Sequence, residues 1–418
     1  MDLIPFQYLG LAALVVTVYL ALRVRWKHAG RNDNAPIDNK GGDDSSPASK
    51  SIWHANKEQG EEDVLRDPKP LLDFDLKTAK TRDYIYVNKT LRYPYYQTMA
   101  HQPMEIENWI EITSDYEWYL SEKKKVIESE PVYQGKKVLD SLPENDFACQ
   151  ELMETVIDWL PKRYPTLFDR LLRAQDEGSY DGIFNRVTGE RFEWLEGHAP
   201  DGCKALTIIS RLTECDFLMA REREDGHVYF TGGLVAFPGF YLLSEKIDKP
   251  MAVVHAPVPQ FNEKLLMSVE RTLKRMLPSA PFERSSWEIV DDLNLYWHNI
   301  ALLPAGGKVS VDPGDLYLRI DRQTFRKLPK SRGIIFGVHP LVRKLESLRR
   351  SPLLPALLHK IHTESSRDLM VYKGAEAYEA ALGPWLEEAM REQVESGLIG
   401  GTENVGDFRE YAGQERDE

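Results

Sequence analysis

Cysteine is nearly absent from this 418-residue chain. Cys149, Cys203 and Cys215 are too few and too scattered for a disulfide framework or a CxxC-type zinc site. A Cys203–Cys215 bridge would need an oxidising lumen, and a reducing compartment is the simpler reading. Positive charge is short as well: 53 Lys and Arg stand against 66 Asp and Glu, a net charge of -13. That balance argues against nucleic acid, which wants basic stripes to neutralise phosphate. No GxGxxG follows an apolar strand, and GxxxxGK[ST], HExxH and GxSxG are missing. No internal repeat is visible.

One long apolar run is present, from Phe6 to Leu22, FQYLGLAALVVTVYLAL. It is at the short end of what spans a bilayer and suits the thinner endoplasmic-reticulum membrane. The start Met1-Asp2 is not the basic start of a cleaved signal peptide, whereas Arg23, Arg25, Lys27 and Arg31 follow the run. An uncleaved, single-pass transmembrane helix is therefore expected, with the cations and the body of the protein on the cytosolic side. Residues 1–28 read as a membrane anchor and 29–69 as a flexible linker, too poor in apolar residues to offset its own ordering. A folded domain is expected over 70–398, and an acidic tail over 399–418.

With 42% hydrophobic and 10% aromatic residues, the domain can build a real core. Asn145 to Leu160 is spaced as an amphipathic helix through Phe147, Leu152, Val156 and Trp159, ended by Pro161. Lys123-Lys124-Lys125 reads as a solvated helix face. Arg191–Trp194, Trp287–Val290, Leu316–Ile320 and Gly333–Val338 read as strands, and Asp225-Gly226 as a hairpin turn before His227. Ala205–Ile209 fits a strand or a short helix, while Lys264–Leu277, Leu341–His362 and Ala375–Ser396 look helical. The fold class is α+β, a mostly antiparallel sheet flanked by helices.

The chain turns on GGLVAFPGFYLLSEKIDKPMAVVHAPVP, Gly232 to Pro259. Leu234–Phe237 and Met251–Val254 read as two short strands, the second ending on His255 before Pro257 and Pro259. Such a histidine is either a core imidazole hydrogen-bonded to a carbonyl or a ligand to a metal or haem iron. Further on, Asp321, Arg322, Gln323 and Thr324 follow an apolar strand. They read either as a strand end turning into a capped helix, with Arg326-Lys327 in solvent, or as a carboxylate clamp built on the Arg322 guanidinium. No cysteine stands in a haem-thiolate setting, which excludes a cytochrome P450 despite the similar tether.

Several blocks in order carry a resemblance. They are Trp109-Ile110-Glu111 with Asp115-Tyr116, Tyr164-Pro165, Glu214-Cys215-Asp216-Phe217, and Gly232-Gly233 to Phe237-Pro238 with Glu245-Lys246. Val254-His255-Ala256-Pro257-Val258-Pro259, Arg284 with Trp287, Arg322 to Pro329 (RQTFRKLP) and Tyr372-Lys373-Gly374 complete the series. Together they resemble the DUF3445 family, the haem-dependent oxidative N-demethylase alpha-subunit-like proteins, whose fungal members are called HRQ proteins. The resemblance covers roughly residues 95 to 380. It implies a PAS-like sheet and a histidine-ligated haem b. It also implies a monooxygenase that demethylates a small amine with dioxygen and releases formaldehyde. Electrons would come from an external NAD(P)H-dependent flavin or iron–sulfur reductase.

On that resemblance His255 is the expected ligand of the haem iron, with His227 next and His298 and His339 behind. Lys246, Arg284, Arg322 and Gln323 become cofactor-binding candidates, the cations as propionate partners. Glu214 and Asp216 become candidate catalytic proton carriers because they adjoin apolar Phe217-Leu218-Met219. Where the fungal signature has a histidine before Arg-Gln, this chain has Asp321. A haem sensor or carrier without turnover, and a membrane-anchored scaffold without haem, remain as rivals.

Overall fold

The computed structural model describes residues 66–87, 89–129, 137–175 and 178–413. The strands are β1 (Gln102–Pro103), β2 (Leu139–Ser141), β3 (Phe168–Gln175), β4 (Gly178–Asn185), β5 (Arg191–Leu195), β6 (Asp216–Glu222), β7 (Val228–Leu234), β8 (Phe282–Val290), β9 (Tyr317–Lys327) and β10 (Ile334–Lys344). A seven-stranded sheet runs β1-β8-β9-β10-β6-β7-β2, and β3-β4-β5 form a second, three-stranded sheet. Every pairing between these strands is antiparallel. The expected α+β architecture, a mostly antiparallel sheet flanked by helices, is the one found. Among the described residues no helix is long and apolar enough to cross a membrane, and the run Phe6–Leu22 lies outside them.

The longer helices are α1 (Tyr116–Glu128), α2 (Asp146–Arg163), α3 (Gly202–Ser210), α4 (Leu266–Arg275), α5 (Leu354–Glu364) and α6 (Glu379–Glu395). One face of the large sheet is buried twice over. Phe217, Met219 and Ile335 pack into a core with α2 and α3, while Trp287, Ile289, Leu318 and Ile320 pack under α5 and α6. The buried stripe of α2 includes Cys149, Leu152, Val156 and Trp159, spaced by three or four residues. Phe147 falls outside it and is 51% exposed. Pro161 sits in the last turn instead of ending the helix, since Tyr164 N still closes on Leu160 O at 2.8 Å.

Several expectations fail for identifiable reasons. Met251–Val254 is a helical turn, not a strand, with Pro250 as its N-cap and Val253 N and Val254 N bonded to Pro250 O. Only the residues just before it lie along the edge of β7, where Pro250 bridges Tyr229 and Phe230 exchanges hydrogen bonds with Asp248 and Lys249, and from Pro250 the chain turns away into the helix despite its β-branched composition. The first apolar run also ends early, β7 stopping at Leu234. Asp321–Thr324 does not turn into a helix: β9 continues to Lys327, and its polar residues find partners on both faces of the sheet. Leu341–Lys344 likewise extends β10, paired with β9 down to Tyr317, so the helix begins only at Leu354. No cysteine is bridged, and Cys215 is buried.

Lys123 corrects the reading of the lysine run. It is fully buried, its ammonium donating to Thr213 O at 3.0 Å and to Cys215 O, 3.3 Å from Asp216 Oδ1. Lys123→Met leaves a carboxylate and two carbonyls without their donor, and should cost about 3 kcal/mol of unfolding free energy. Lys124→Met, at an exposed pair with Glu128, should change it by under ~0.5 kcal/mol. Urea unfolding of both variants compares them directly.

Candidate functional site

Burial along β8 alternates strictly. Glu283, Ser285, Trp287 and Ile289 are buried, whereas Arg284, Ser286 and Glu288 between them are only half-buried. Successive strand residues face opposite sides, so one side of the sheet is covered and the other is left open over this stretch. The open side continues through Gln323 and Phe325 on β9 and Phe336 on β10, also half-buried and in register with β8. Segment 241–261 packs on this side of the sheet, with Tyr241, Val254 and Phe261 in one apolar cluster with Phe325 and Phe336 and with His255 near the Lys246 and Arg284 charges, and the open face bordered by this segment is the recess. Tyr372 and Lys373 stand at the β8 edge, where Lys373 Nζ donates to Trp287 O at 2.6 Å.

His255 follows the helical turn Met251–Val254 as its C-cap. Its Nδ1 lies 3.1 Å from Met251 O, and a carbonyl can only accept, so Nδ1 carries the proton. Nε2 is then left as a bare lone pair, with no hydrogen-bond partner among the described residues. The ring stacks on Phe261 at 4.4 Å between centroids, near Phe230. Burial, with Lys246 and Arg284 adding repulsion, pulls its pKa down to about 4, so the ring is neutral at pH 7. A neutral imidazole with its tautomer fixed by a carbonyl is the standard state of a metal-binding histidine.

The other three candidate histidines each have a polar partner. His298 Nε2 lies 2.9 Å from Arg319 Nη1, which can only donate, so Nδ1 donates to Asp292 Oδ1 at 2.9 Å. His339 engages Tyr84 Oη at 3.2 Å and Glu214 at 2.9 Å. His227 has its Nδ1 3.3 Å from the Glu270 carboxylate on α4, with the ring 54% exposed. Among the described residues, no group of three or more His, Cys, Asp or Glu is arranged to hold a metal ion.

Two cations share the recess with His255. Burial lowers the pKa of Lys246 to about 8, and its ammonium sits 4.4 Å over the Tyr241 ring. Burial lowers that of Arg284 too, and its Nε is enclosed without a hydrogen-bond partner. Among the described residues, neither has a carboxylate within ion-pair distance. Desolvated cations left in this state favour an anionic ligand. Gln323 joins the same surface, its amide 3.2 Å from Ser286 Oγ.

Arg322, Glu214 and Asp216 are placed elsewhere. Arg322 points to the opposite face of the sheet, where its guanidinium lies 2.5 and 2.9 Å from Glu283 Oε2 and 3.3 Å from Glu111. Glu214 accepts from Thr113 N at 2.6 Å and Thr113 Oγ1 at 3.0 Å, besides facing His339. Asp216 holds Lys123 and accepts from Phe237 N at 2.6 Å. All three are enclosed in the protein's own polar network. A separate cavity of about 320 Å³ opens on that opposite face between Tyr84, Ile320 and Leu341. No histidine lines it, and its Arg82 and Arg343 are already ion-paired.

Asp321, which stands where the fungal signature has histidine, lies on the floor of the recess, bound by Arg319 Nε at 2.9 Å. Arg319 also donates to Phe237 O at 2.7 Å. Gly239 makes this possible: its φ is +72°, and a Cβ there would come within 2.4 Å of Arg319 Nη1. The sequence reading missed Tyr241 and Glu288. The signal was present in Phe-Glu-Arg-Ser-Ser-Trp-Glu-Ile-Val, whose alternate residues Arg284, Ser286 and Glu288 make one strand face polar.

A bare imidazole nitrogen, two cations without counter-ions and a wall of aromatic rings suit a planar anionic cofactor that carries its own metal. Comparison with known families agrees. Residues 100–383, more than half of the chain, match the family described as haem-dependent oxidative N-demethylase, alpha subunit-like, and the match spans β6 to β10 and the whole 241–261 wall. The chain belongs to the haem-dependent oxidative N-demethylase, alpha subunit-like family.

Proposed function

We infer that this protein is a haem b monooxygenase whose recess over β8, β9 and β10 holds the cofactor, with His255 Nε2 on the iron. The observation that carries the reading is the His255 ring, whose Nδ1 is committed to Met251 O and whose Nε2 has no hydrogen-bond partner among the described residues. The residues present fit the group. Lys246 and Arg284 would take the two propionates, and Phe261, Phe230, Phe325 and Phe336 offer apolar surface to the ring system. The sheet, open to a ligand on one face, accords with a PAS-like description.

Bound haem supplies dioxygen activation, which no side chain of this chain provides. The chain's own residues do the rest. His255 would bind and orient the group, Lys246 and Arg284 would neutralise its carboxylates, and the aromatic side chains would limit water beside it. The reaction class is oxidative removal of an N-methyl group from a small amine, with formaldehyde released. An alpha-subunit-like chain implies partner components, and an NAD(P)H-dependent flavin or iron–sulfur reductase is the electron source that accords with it. Phe6–Leu22 and the cations after it support tethering to the endoplasmic reticulum with the body in the cytosol. Complete protection of the body from protease in sealed microsomes would count against that orientation.

The full chain, purified in detergent and titrated with haemin, should develop a Soret band at one equivalent. With a reductase, NADPH and dimethylamine, it should then release formaldehyde. A Soret band without turnover would leave a sensor or carrier, and no Soret band would leave a haem-free scaffold.

A further inference from the structure

Glu288 is the carboxylate of the recess that the protein does not use. It projects from β8 on the open side, in register with Arg319, and is half-buried. The neighbouring cations attract it from beyond hydrogen-bond distance and place their printed hydrogen bonds elsewhere. Arg319 serves Asp321, His298 and Phe237 O, and Lys373 Nζ serves Trp287 O. No donor among the described residues reaches the Glu288 oxygens. Arg284 lies four residues back on the same strand face, about 13 Å away at the rise of an extended chain. The recess thus has a cationic end and, well separated from it, one anionic group with open hydrogen-bonding capacity.

We propose that Glu288 is a catalytic residue, which receives the substrate as an ammonium cation and takes its proton, leaving the neutral amine in the recess. This rests on the reading of the recess as the substrate site. In the step the N–H bond breaks, its electron pair stays on nitrogen, and a new O–H bond forms on the carboxylate. The proton returns to water when product leaves. The transfer matters because an ammonium nitrogen has no lone pair, so its methyl group resists oxidation. Burial, with Asp321 alongside, pushes the Glu288 carboxyl above the usual carboxylate range, while Lys373 and Arg319 oppose this. Tyr241, Tyr372 and Tyr378 are the other titratable groups facing it. A carboxylate raised in this way is a better proton acceptor than one in water.

The test is calorimetric titration of the full chain with dimethylammonium chloride at pH 7, with isopropanol as a neutral control of similar shape. Glu288→Gln should weaken dimethylammonium binding at least tenfold and leave isopropanol and the haem spectrum unchanged. Glu288→Asp, which keeps the charge on a shorter arm, should retain part of the affinity. In turnover, kcat/KM should rise with pH through the carboxyl titration in the parent, and that limb should vanish in Glu288→Gln. Unchanged dimethylammonium affinity in Glu288→Gln, or none in the parent, overturns the proposal. If Glu288→Gln does not fold, Glu288→Asp decides by the same titration, equal affinity to the parent counting against the proposal. The titration does not depend on haem. Loss of the cation site and absence of a Soret band are therefore separate results, the first bearing on Glu288 and the second on the cofactor.

Discussion

If His255 binds the haem iron as proposed, replacing it with alanine should cost the haemin-loaded protein its histidine-ligated Soret band and lower its formaldehyde-forming activity at least 100-fold, a loss of roughly 2.7 kcal/mol or more in transition-state stabilisation. The fold should survive. His255 is only half-buried, and its side chain makes one hydrogen bond, to Met251 O, and ring contacts to Phe261 and Phe230. Added imidazole should restore part of the spectrum by occupying the vacated volume. His227→Ala is the matched control, because that ring is held by Glu270 on α4 and should leave spectrum and activity unchanged. A His255→Ala protein with the parent's spectrum would remove the basis of the cofactor assignment.

Arg322→Ala should produce the largest stability loss, about 3–5 kcal/mol. Arg322 is 2% exposed and faces Glu283 at 5% and Glu111 at 10%, with Arg82 completing the cluster from the surface side. Tyr84 also donates to Glu111, at 2.8 Å. Removing Arg322 leaves two enclosed carboxylates to one partly exposed guanidinium, and that uncompensated charge is what costs. Arg322→Lys keeps the charge but lacks the planar fork that meets both acids, so it should fall between. Arg343→Ala, at a half-exposed contact with Asp83, should cost no more than ~1 kcal/mol. Because Arg322 stands on the far side of the sheet from His255, its variants should bind haemin normally at temperatures where they remain folded.

The same cluster sets an acid limit. Burial alone would raise the Glu283 pKa, but the Arg82 hydrogen bonds and the charges of Arg322 and Arg82 bring it down to about 2. The folded pKa lies below the unfolded one, so the unfolded chain binds more protons in the interval between them. The stabilisation from Glu283 is therefore complete above about pH 4.5 and is lost as pH falls toward 2. Removing Arg322 should move this acid limb to higher pH, readable in urea midpoints measured from pH 6 down to 3.

Particular residues show where reading the chain alone succeeds. A histidine beside an apolar run and followed by two prolines is an unusual local arrangement, which marks His255, and the motif series resembles a haem family. The hairpin at Asp225-Gly226, the strands through Trp287 and Gly333–Val338, and the helix over 146–163 follow from turn chemistry and periodicity. Arg322 and Glu288 show where it fails. RQTFRKLP is distinctive, but two neighbours in a strand face opposite ways, so Gln323 enters the recess while Arg322 is spent on Glu283 and Glu111 behind it. Glu288 carries no motif and looks like any polar strand residue until its lack of a partner can be seen.

The sequence by itself determined the class of fold, the family, the acidic surface and the imidazole on which the cofactor proposal rests. Each is written in composition, in local periodicity or in a short ordered motif. Only the tertiary structure decided which charges are neutralised within the protein and which are left for a ligand. Lys123 and Lys124 are adjacent and chemically identical, yet one is buried on Asp216 and the other is in solvent. Arg284 and Arg322 lie on paired strands, one without a carboxylate partner among the described residues and the other with two. Pairing of a buried charge depends on residues hundreds of positions away that the sheet brings within 3 Å, as Arg82 meets Glu283, and no window along the chain contains both.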